Sequence, residues 1–283
     1  MVTTSDEAKS FIAGVFDRSA GTYDRVDVDF FQPMGRTLVE RAAVQPGEDV
    51  LDLGCGRGAA LVAALDAVGP SGSVTGLDLA PRMVELTGAE VQAFPNATVV
   101  LGDAERPDFP PGSFDVVLAN HVLFLLPDPG AALRSYATLL RPGGRLAFSS
   151  FATEDKAFGA AMGAIARFAP GAEAQRERIE RSPFRTEETI RALLAAEGCS
   201  DAVITSAEFS SRFRDAAHWL EWAWSHGGRA LLEQVSVDDF PAAQADAFRE
   251  IEAARAAAGD LVLTTGVRFT VAVPGTPASP RTP

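Results

Sequence analysis

Short β-type runs alternate with helix-type stretches between residues 48 and 151, and this alternation constrains the fold more than any other feature. A strand, a helix and the next parallel strand form a right-handed crossover, so the pattern predicts a doubly wound α/β sheet. The predicted strands cover residues 49–53, 73–78, 97–101, 114–119 and 144–151. The predicted helices between them cover residues 58–68, 81–93 and 129–140.

The segments on either side of this core extend the same architecture. In chain order we expect N-terminal helices over residues 1–45 and a core over 46–151. A first helical cap follows over 154–185, and then a strand over 201–213. A second helical cap covers 214–258, and a final strand covers 261–273. A capping pattern at 186–189 opens a further helix that ends near Gly198. We expect one domain over residues 1–273 and a disordered tail over 274–283.

Charge and cysteine content exclude several classes of partner. The 283-residue chain has a formal net charge of −13, which repels nucleic acid and anionic lipid headgroups. Cys55 and Cys199 are far apart and show no zinc-ligand spacing, which predicts no metal site and suits a reducing cytoplasm. The polar start MVTTSDEAKS and the lack of a run of about 18 apolar residues predict neither signal peptide nor membrane span. We expect a cytoplasmic protein with a small-molecule substrate, and a homodimer stays open.

A glycine-rich loop follows the first predicted strand and opens the next helix. Residues 50–58 read VLDLGCGRG, so Gly54 and Gly56 let a ligand lie against bare backbone at a helix N-terminus. The spacing also fits the dinucleotide fingerprint of nicotinamide oxidoreductases. Asp52 argues against that interpretation, because a carboxylate at the end of the strand repels a pyrophosphate but pairs with an ammonium group.

Two further aspartates follow the next two predicted strands, Asp78 in GLDL and Asp103 in LGDA. Singly, such an aspartate is typical of a turn or a helix cap. At one edge of a parallel sheet, however, Asp78 can accept hydrogen bonds from ribose hydroxyls, and Asp103 can accept one from an adenine amino group. Together with Asp52, which suits an α-ammonium, they favour S-adenosylmethionine as the cofactor.

Four segments resemble successive motifs of the class I S-adenosylmethionine-dependent methyltransferases, in the small-molecule branch related to the ubiquinone and menaquinone C-methyltransferases. They read VLDLGCGRG, GLDLAPRMVE, GDAERPDFPPGSFDVVLANHVLFLLPD and LLRPGGRLAFSSF. The resemblance spans residues 15–151 and implies a Rossmann-like sheet of seven strands, mostly parallel, with a C-terminal antiparallel hairpin and a helical cap. The strands predicted at 201–213 and 261–273 would supply that hairpin.

The resemblance also implies which residues bind the cofactor. Asp52 and the loop glycines would hold its methionine part, Asp78 its ribose and Asp103 its adenine. The full implied set is Tyr23, Asp52, Gly54, Cys55, Gly56, Asp78, Leu79, Met83, Asp103, Ala104 and Asn120. For Tyr23 and Met83, ordinary packing explains the residue equally well.

Aromatic residues outside the core indicate where a substrate would bind. The chain has 18 Phe but only 2 Tyr, which favours an apolar pocket. His121, just after the fourth strand, is the candidate catalytic base, because an imidazole titrates near neutrality. The candidate substrate-binding residues are Phe124, Phe151, His218, Trp219 and Trp222. For His121 and these others, a structural role is at least as good an explanation.

The sequence therefore predicts an S-adenosylmethionine-dependent methyltransferase that acts on O or C of a small, largely apolar metabolite of secondary-metabolite or quinone-like type. The alternative is an enzyme of the same fold that binds the cofactor but catalyses a cyclisation or rearrangement, since fold does not determine function. A nicotinamide oxidoreductase and a non-enzymatic binding module are weaker alternatives. The residues themselves do not distinguish oxygen, carbon and nitrogen as the methyl acceptor.

Overall fold

A seven-stranded sheet forms the centre of the protein, in a computed structural model that describes residues 5–199 and 201–274. Its strands are β1 (Asp49–Leu53), β2 (Ser73–Asp78), β3 (Ala97–Leu101), β4 (Phe114–Ala119), β5 (Leu140–Thr153), β6 (Asp201–Phe213) and β7 (Leu261–Val273). They lie in the order β3-β2-β1-β4-β5-β7-β6. The first five strands pair in parallel, and β7 runs antiparallel to β5 and β6. This arrangement confirms the predicted fold class, with its C-terminal antiparallel pair.

Helices cover the sheet, and some of them lie between β6 and β7 in the sequence. Those of the described residues are α1 (Ser5–Ser19), α2 (Phe31–Arg41), α3 (Ala59–Val68), α4 (Pro81–Val91), α5 (Pro129–Leu139), α6 (Lys156–Ala166), α7 (Ala172–Glu180), α8 (Glu187–Ala196), α9 (Ala216–Trp224), α10 (Arg229–Leu232) and α11 (Phe240–Ala258). The capping pattern at Thr186 forms as expected. The Thr186 side chain accepts the Thr189 N–H, and the Thr189 hydroxyl accepts the Thr186 N–H. The expected tail over 274–283 lies outside the described residues from 275 onward.

The middle strands β1 and β4 are buried on both faces, which explains why their sequences are almost continuously apolar. Val50 and Val116 belong to the apolar layer on one face, and Leu51 and Val117 belong to the layer on the other. The strand order reverses between β1 and β4, so the connections that leave these two strands diverge. A crevice forms at such a point, and the loops after β1 and β4 line it.

The start of β5 differs from the prediction, which placed it at Gly144. The structure begins the strand at Leu140, because Leu140 pairs with Phe114 and a register shift after Phe114 accommodates the turn residues that follow. Arg141 in this turn forms ion pairs with Asp49 at 2.8 Å and Asp115 at 2.6 Å. These contacts hold the turn against the amino ends of β1 and β4.

The cap segments predicted at 154–185 and 214–258 contain α6, α7 and α9 to α11. Helices α6 and α11 pack together through mostly small buried side chains at helical spacing, which are Ala161, Ala164, Ile165, Ala243, Ala247 and Ile251. Helix α9 packs against β6 and carries the buried residues Trp219 and Trp222. Within the described part of the chain, no helix is long and apolar enough to cross a membrane.

Gly35 lies where α2 packs closely on α3. A Cβ at Gly35 would lie 2.5 Å from the backbone carbonyl carbon and oxygen of Ala59, which cannot move aside without disturbing α3. We expect Gly35→Ala to lower the free energy of unfolding by roughly 1–3 kcal/mol through overpacking.

A matched control for this variant is Gly163→Ala in α6. No atom lies within 4 Å of the Cβ that this change would add. It should raise the free energy of unfolding by roughly 0.5–1 kcal/mol, because alanine favours the helix. Urea denaturation of both variants measures the difference, and two stabilised proteins would contradict a tight contact between α2 and α3.

Candidate functional site

Asp52 is a buried carboxylate near the carboxyl end of β1, with a relative exposure of 1%. Neither of its oxygens has a hydrogen-bond partner among residues 5–199 and 201–274. Burial, and to a smaller degree the charge of Asp78, raises the pKa of this carboxyl to about 8. A buried charge without a partner is unfavourable, so the position suits a cationic ligand that completes the pair.

The loop after β1 presents bare backbone to the site. Gly54 and Gly56 have φ angles of 64° and 51°, in the left-handed region that glycine tolerates. A Cβ at Gly54 would lie 2.5 Å from the Val122 side chain. The carboxylate of Asp78 accepts the Gly56 N–H at 2.8 Å and the Ala80 N–H at 2.9 Å. Asp78 therefore holds the loop in place from the neighbouring strand.

Two adjoining cavities of about 340 and 730 Å³ lie around this loop. The smaller contains Asp52, and the larger extends past Asp78 to Asp103. Because they share wall residues, one elongated ligand can occupy both. The structure places around them all the residues that the resemblance assigned to a cofactor, which are Tyr23, Asp52, Gly54, Cys55, Gly56, Asp78, Leu79, Met83, Asp103, Ala104 and Asn120.

Helix α1 covers the far end of the larger cavity, a role that the sequence analysis missed. Lys9 forms ion pairs with Asp103 at 2.7 Å and with Glu105 at 2.9 Å. Ile12 and Phe16 on the same helix face line the cavity. The spacing of these residues along α1 is that of one helix face and could have indicated it. Asp103, which we expected to bind the adenine, is therefore already paired with the ammonium group of Lys9.

His121 follows β4 in a left-handed backbone conformation with φ of 58°, which is uncommon for a residue other than glycine. Its backbone N–H donates to the Ser149 hydroxyl at 2.9 Å, and that hydroxyl donates to the Asn120 side-chain oxygen at 2.7 Å. Its ring is 7% exposed, and neither ring nitrogen has a partner in the described structure. Burial lowers the pKa of His121 to about 3, so the imidazole is neutral at pH 7. The expectation that this imidazole titrates near neutrality is therefore wrong, because burial disfavours its charged form.

Aromatic rings pack around His121. The centroid of Phe151 lies 4.4 Å from that of His121, and Phe31 and Phe124 lie at 6.0 and 6.3 Å. We call this group the ring compartment, and its members are Phe30, Phe31, Phe124, Phe151, Trp222, His121 and His226. It adjoins the cavities because Phe31 lines the smaller one and His121 lines the larger. Phe30, Phe31 and His226 were not foreseen from sequence.

Two other predicted substrate residues lie elsewhere. The Nε2 atom of His218 lies 2.6 Å from the Val26 carbonyl oxygen, and its Nδ1 accepts the Arg214 N–H at 3.2 Å. These backbone partners favour a structural role for His218. Trp219 is fully buried, packs edge-on against Phe158, and lines neither of the two cavities.

Comparisons with known proteins agree with this geometry. Residues 51–148 match a family model described as a methyltransferase domain. The chain is 37% identical over 268 residues to nocamycin O-methyltransferase of Saccharothrix syringae, a match that covers 90% of this chain and 95% of that protein. This chain belongs to the class I S-adenosylmethionine-dependent methyltransferases. The methyltransferase acts on a small molecule.

Two further comparisons show how far the likeness extends. The methyltransferase is 46% identical over 144 residues to aklanonic acid methyltransferase of Streptomyces sp. (strain C5), which covers 50% of this chain and 66% of that protein. Its fold is shared with phosphoethanolamine N-methyltransferase 2 of Haemonchus contortus, solved with S-adenosyl-L-methionine. That match has a TM-score of 0.56 at 16% identity and covers 92% of this chain and 57% of the other.

S-adenosylmethionine is the cofactor of this methyltransferase, which decides against a dinucleotide in the glycine-rich loop. The residues present fit it. Its α-ammonium suits the unpartnered carboxylate of Asp52, which the fold otherwise leaves buried and unpaired. Its ribose hydroxyls suit Asp78, which lines the larger cavity and retains lone pairs beside its two backbone bonds.

The first prediction for this site concerns Asp52→Asn, which keeps the side-chain shape and removes the charge. We expect binding of S-adenosylhomocysteine to weaken roughly ten- to a hundredfold, because a charge-assisted hydrogen bond is worth about 1.5–3 kcal/mol. Without cofactor, the variant should be more stable than wild type. This gain should grow from about pH 4 to pH 8, because over that range the unfolded chain releases the Asp52 proton that the folded protein keeps.

Asp49→Asn, at the other end of β1, is the matched control. It loses part of the ion pair with Arg141 and lies away from both cavities. It should lower the melting temperature slightly and leave cofactor affinity unchanged. Calorimetry and thermal denaturation measure both quantities, and an unchanged affinity in Asp52→Asn would remove Asp52 from the site.

Cofactor binding should depend on pH through the same carboxyl. With its pKa raised to about 8, Asp52 holds a proton in the free protein below that pH, and pairing with an ammonium requires this proton to leave. Affinity for S-adenosylhomocysteine should fall by up to about tenfold per unit as pH drops from about 8 to about 6. Calorimetry across this range, with Asp52→Asn as the pH-independent control, tests it. A flat profile in the wild type would show that Asp52 is already ionised.

Proposed function

We propose that this methyltransferase transfers the methyl group to an oxygen of a planar, largely apolar small molecule. The observation that carries the proposal is His121, a buried neutral imidazole at the boundary between the cofactor cavity and the ring compartment. Both of its ring nitrogens are free of partners within the described residues, so one can accept a proton from a bound hydroxyl. The flat aromatic walls favour a planar acceptor.

The names of the relatives support oxygen as the acceptor atom. Nocamycin O-methyltransferase, which matches nearly the whole chain, is an O-methyltransferase by name. The second relative is named for an acid, aklanonic acid. Both are named as methyltransferases, which favours methyl transfer over the cyclisation or rearrangement that the fold alone would also permit.

The proposed chemistry needs few groups from the protein. When bound, S-adenosylmethionine supplies an electrophilic methyl group on a sulfonium sulfur. The acceptor oxygen would bond to the methyl carbon as the C–S bond breaks, and the electron pair of that bond would remain on a neutral thioether sulfur. The hydroxyl becomes strongly acidic as its oxygen bonds to the methyl carbon, so His121 can take the proton although burial lowers the pKa of its imidazole, and it later returns the proton to solvent. The ring compartment excludes water, which would otherwise solvate the attacking oxygen.

A hydroxyl acceptor needs His121, whereas a carboxylate acceptor is already ionised and does not. We therefore expect His121→Phe to slow methylation of phenolic acceptors roughly 10²- to 10⁴-fold. Methylation of an aromatic carboxylate should change much less, and binding of S-adenosylhomocysteine should stay the same.

The assay uses cofactor labelled in its methyl group and a panel of planar phenols and aromatic acids with two to four fused rings. Alkali releases label from a methyl ester, but not from a methyl ether or a C-methyl product, and fragmentation in mass spectrometry separates the last two. Label on carbon, or no label on any acceptor, would overturn the proposal of O-methylation. Equal loss for both acceptor classes in His121→Phe would remove the base role from His121.

A further inference from the structure

His226 is a second buried histidine of the ring compartment, in the segment between α9 and α10, with a relative exposure of 8%. Its Nδ1 accepts the Gly228 N–H at 3.2 Å, which places the proton of the neutral ring on Nε2. Burial lowers the pKa of His226 to about 3, so this neutral form dominates at pH 7. Its Nε2 is buried and has no partner in the part of the chain that the structure describes.

Both imidazoles of the ring compartment flank the same aromatic ring. The centroid of Phe31 lies 6.0 Å from that of His121 and 6.0 Å from that of His226, with both rings edge-on to it. No more than twice that distance therefore separates the two imidazoles. The ring centroid of Trp222 lies 4.3 Å from that of His226, so these two rings pack directly against each other. Because Phe31 also lines the smaller cavity, both imidazoles lie close to the site that suits the cofactor.

A structural role explains His226 less well than it explains His218. Both ring nitrogens of His218 lie within hydrogen-bond distance of backbone groups, from Val26 and Arg214, whereas His226 has one partner. A buried donor without an acceptor destabilises a fold. Such a group in a native protein needs an explanation, and a ligand that accepts its proton provides one.

Two other unpartnered polar groups do not share this setting. The hydroxyls of Ser150 and Thr270 are also buried without partners. They lie on the face of the sheet that carries Phe148, which packs in the opposite apolar layer from Phe31. What distinguishes the Nε2 group of His226 is its place in the ring compartment, beside the cofactor cavity.

We propose that His226 is a positioning residue that donates its Nε2 proton to a carbonyl oxygen of the methyl acceptor. The proposal rests on the function proposed above and narrows its substrate class. The acceptor is a planar molecule with two oxygen functions, a hydroxyl that reaches His121 and a carbonyl that reaches His226. An analogue without the carbonyl leaves the donor unpaired and is rejected.

Two substitutions separate the donor from the rest of the ring. In His226→Asn, the side-chain oxygen takes the place of Nδ1 and can still accept the Gly228 N–H, but the Nε2 donor is lost. In His226→Gln, the amide nitrogen takes the place of Nε2 and restores a donor. His218→Gln is the matched control. It alters a buried histidine of the preceding helix α9, and both nitrogens of that ring lie within hydrogen-bond distance of backbone groups.

The probes are 2-hydroxyfluorenone, which carries a hydroxyl and a carbonyl, and 2-hydroxyfluorene, which lacks the carbonyl. Calorimetry with S-adenosylhomocysteine-loaded protein measures their affinities. His226→Asn should weaken binding of the fluorenone roughly ten- to a hundredfold and leave the fluorene unchanged. His226→Gln should restore most of the loss. His218→Gln should lower the melting temperature without changing the preference for the carbonyl.

Nitrogen-15 NMR of the histidine rings gives a reading that needs no acceptor. It should show a neutral His226 ring with its proton on Nε2 from pH 5 to pH 8. A proton on Nδ1, a charged ring at pH 7, equal affinity of the wild type for both probes, or an unchanged preference in His226→Asn would each overturn the inference. If carbonyl-dependent binding holds but the labelling assay finds no O-methyl product, only the proposed function fails.

Discussion

The hydrogen bond from the Gly56 N–H to the Asp78 carboxylate ties the glycine-rich loop to the neighbouring strand. It can form because β1 and β2 are parallel and in register, with Asp52 opposite Gly76, so that their carboxyl ends lie level. The loop is thereby held in its left-handed turns, clear of the space beside Asp52. Both cavities depend on this one fixed turn, because Gly54 and Gly56 belong to the walls of each.

The site brings several acidic side chains together in a chain that is already acidic. The pKa values of Asp24, Asp52 and Asp78 are all raised, in each case mainly by burial, and the three side chains line the cavities. A positively charged ligand stabilises the ionised form of these carboxyl groups. S-adenosylmethionine carries a sulfonium charge that its product lacks, so the field of these acids favours the methyl donor over the spent cofactor. These carboxyl groups therefore favour replacement of the spent cofactor by a new molecule of S-adenosylmethionine.

Local pattern explains which parts of the protein could be predicted. The strand–helix alternation, the glycine turns and the aspartates at strand ends are each encoded within a few neighbouring residues. The start of β5 was missed because Leu140 joins the sheet through a register shift opposite Phe114, which no local signal shows. The ion pair between Lys9 and Asp103 joins residues 94 apart in sequence. His218 and His226 look alike in sequence, and the contact that distinguishes them joins His218 to the Val26 carbonyl oxygen, 192 residues away.

Helix α1 covers one end of the larger cavity, where Lys9 pairs with Asp103 and Glu105. A cofactor that leaves at this end therefore requires Lys9 to separate from both carboxylates. The rate of that separation would then limit how often the spent cofactor is exchanged for a new methyl donor.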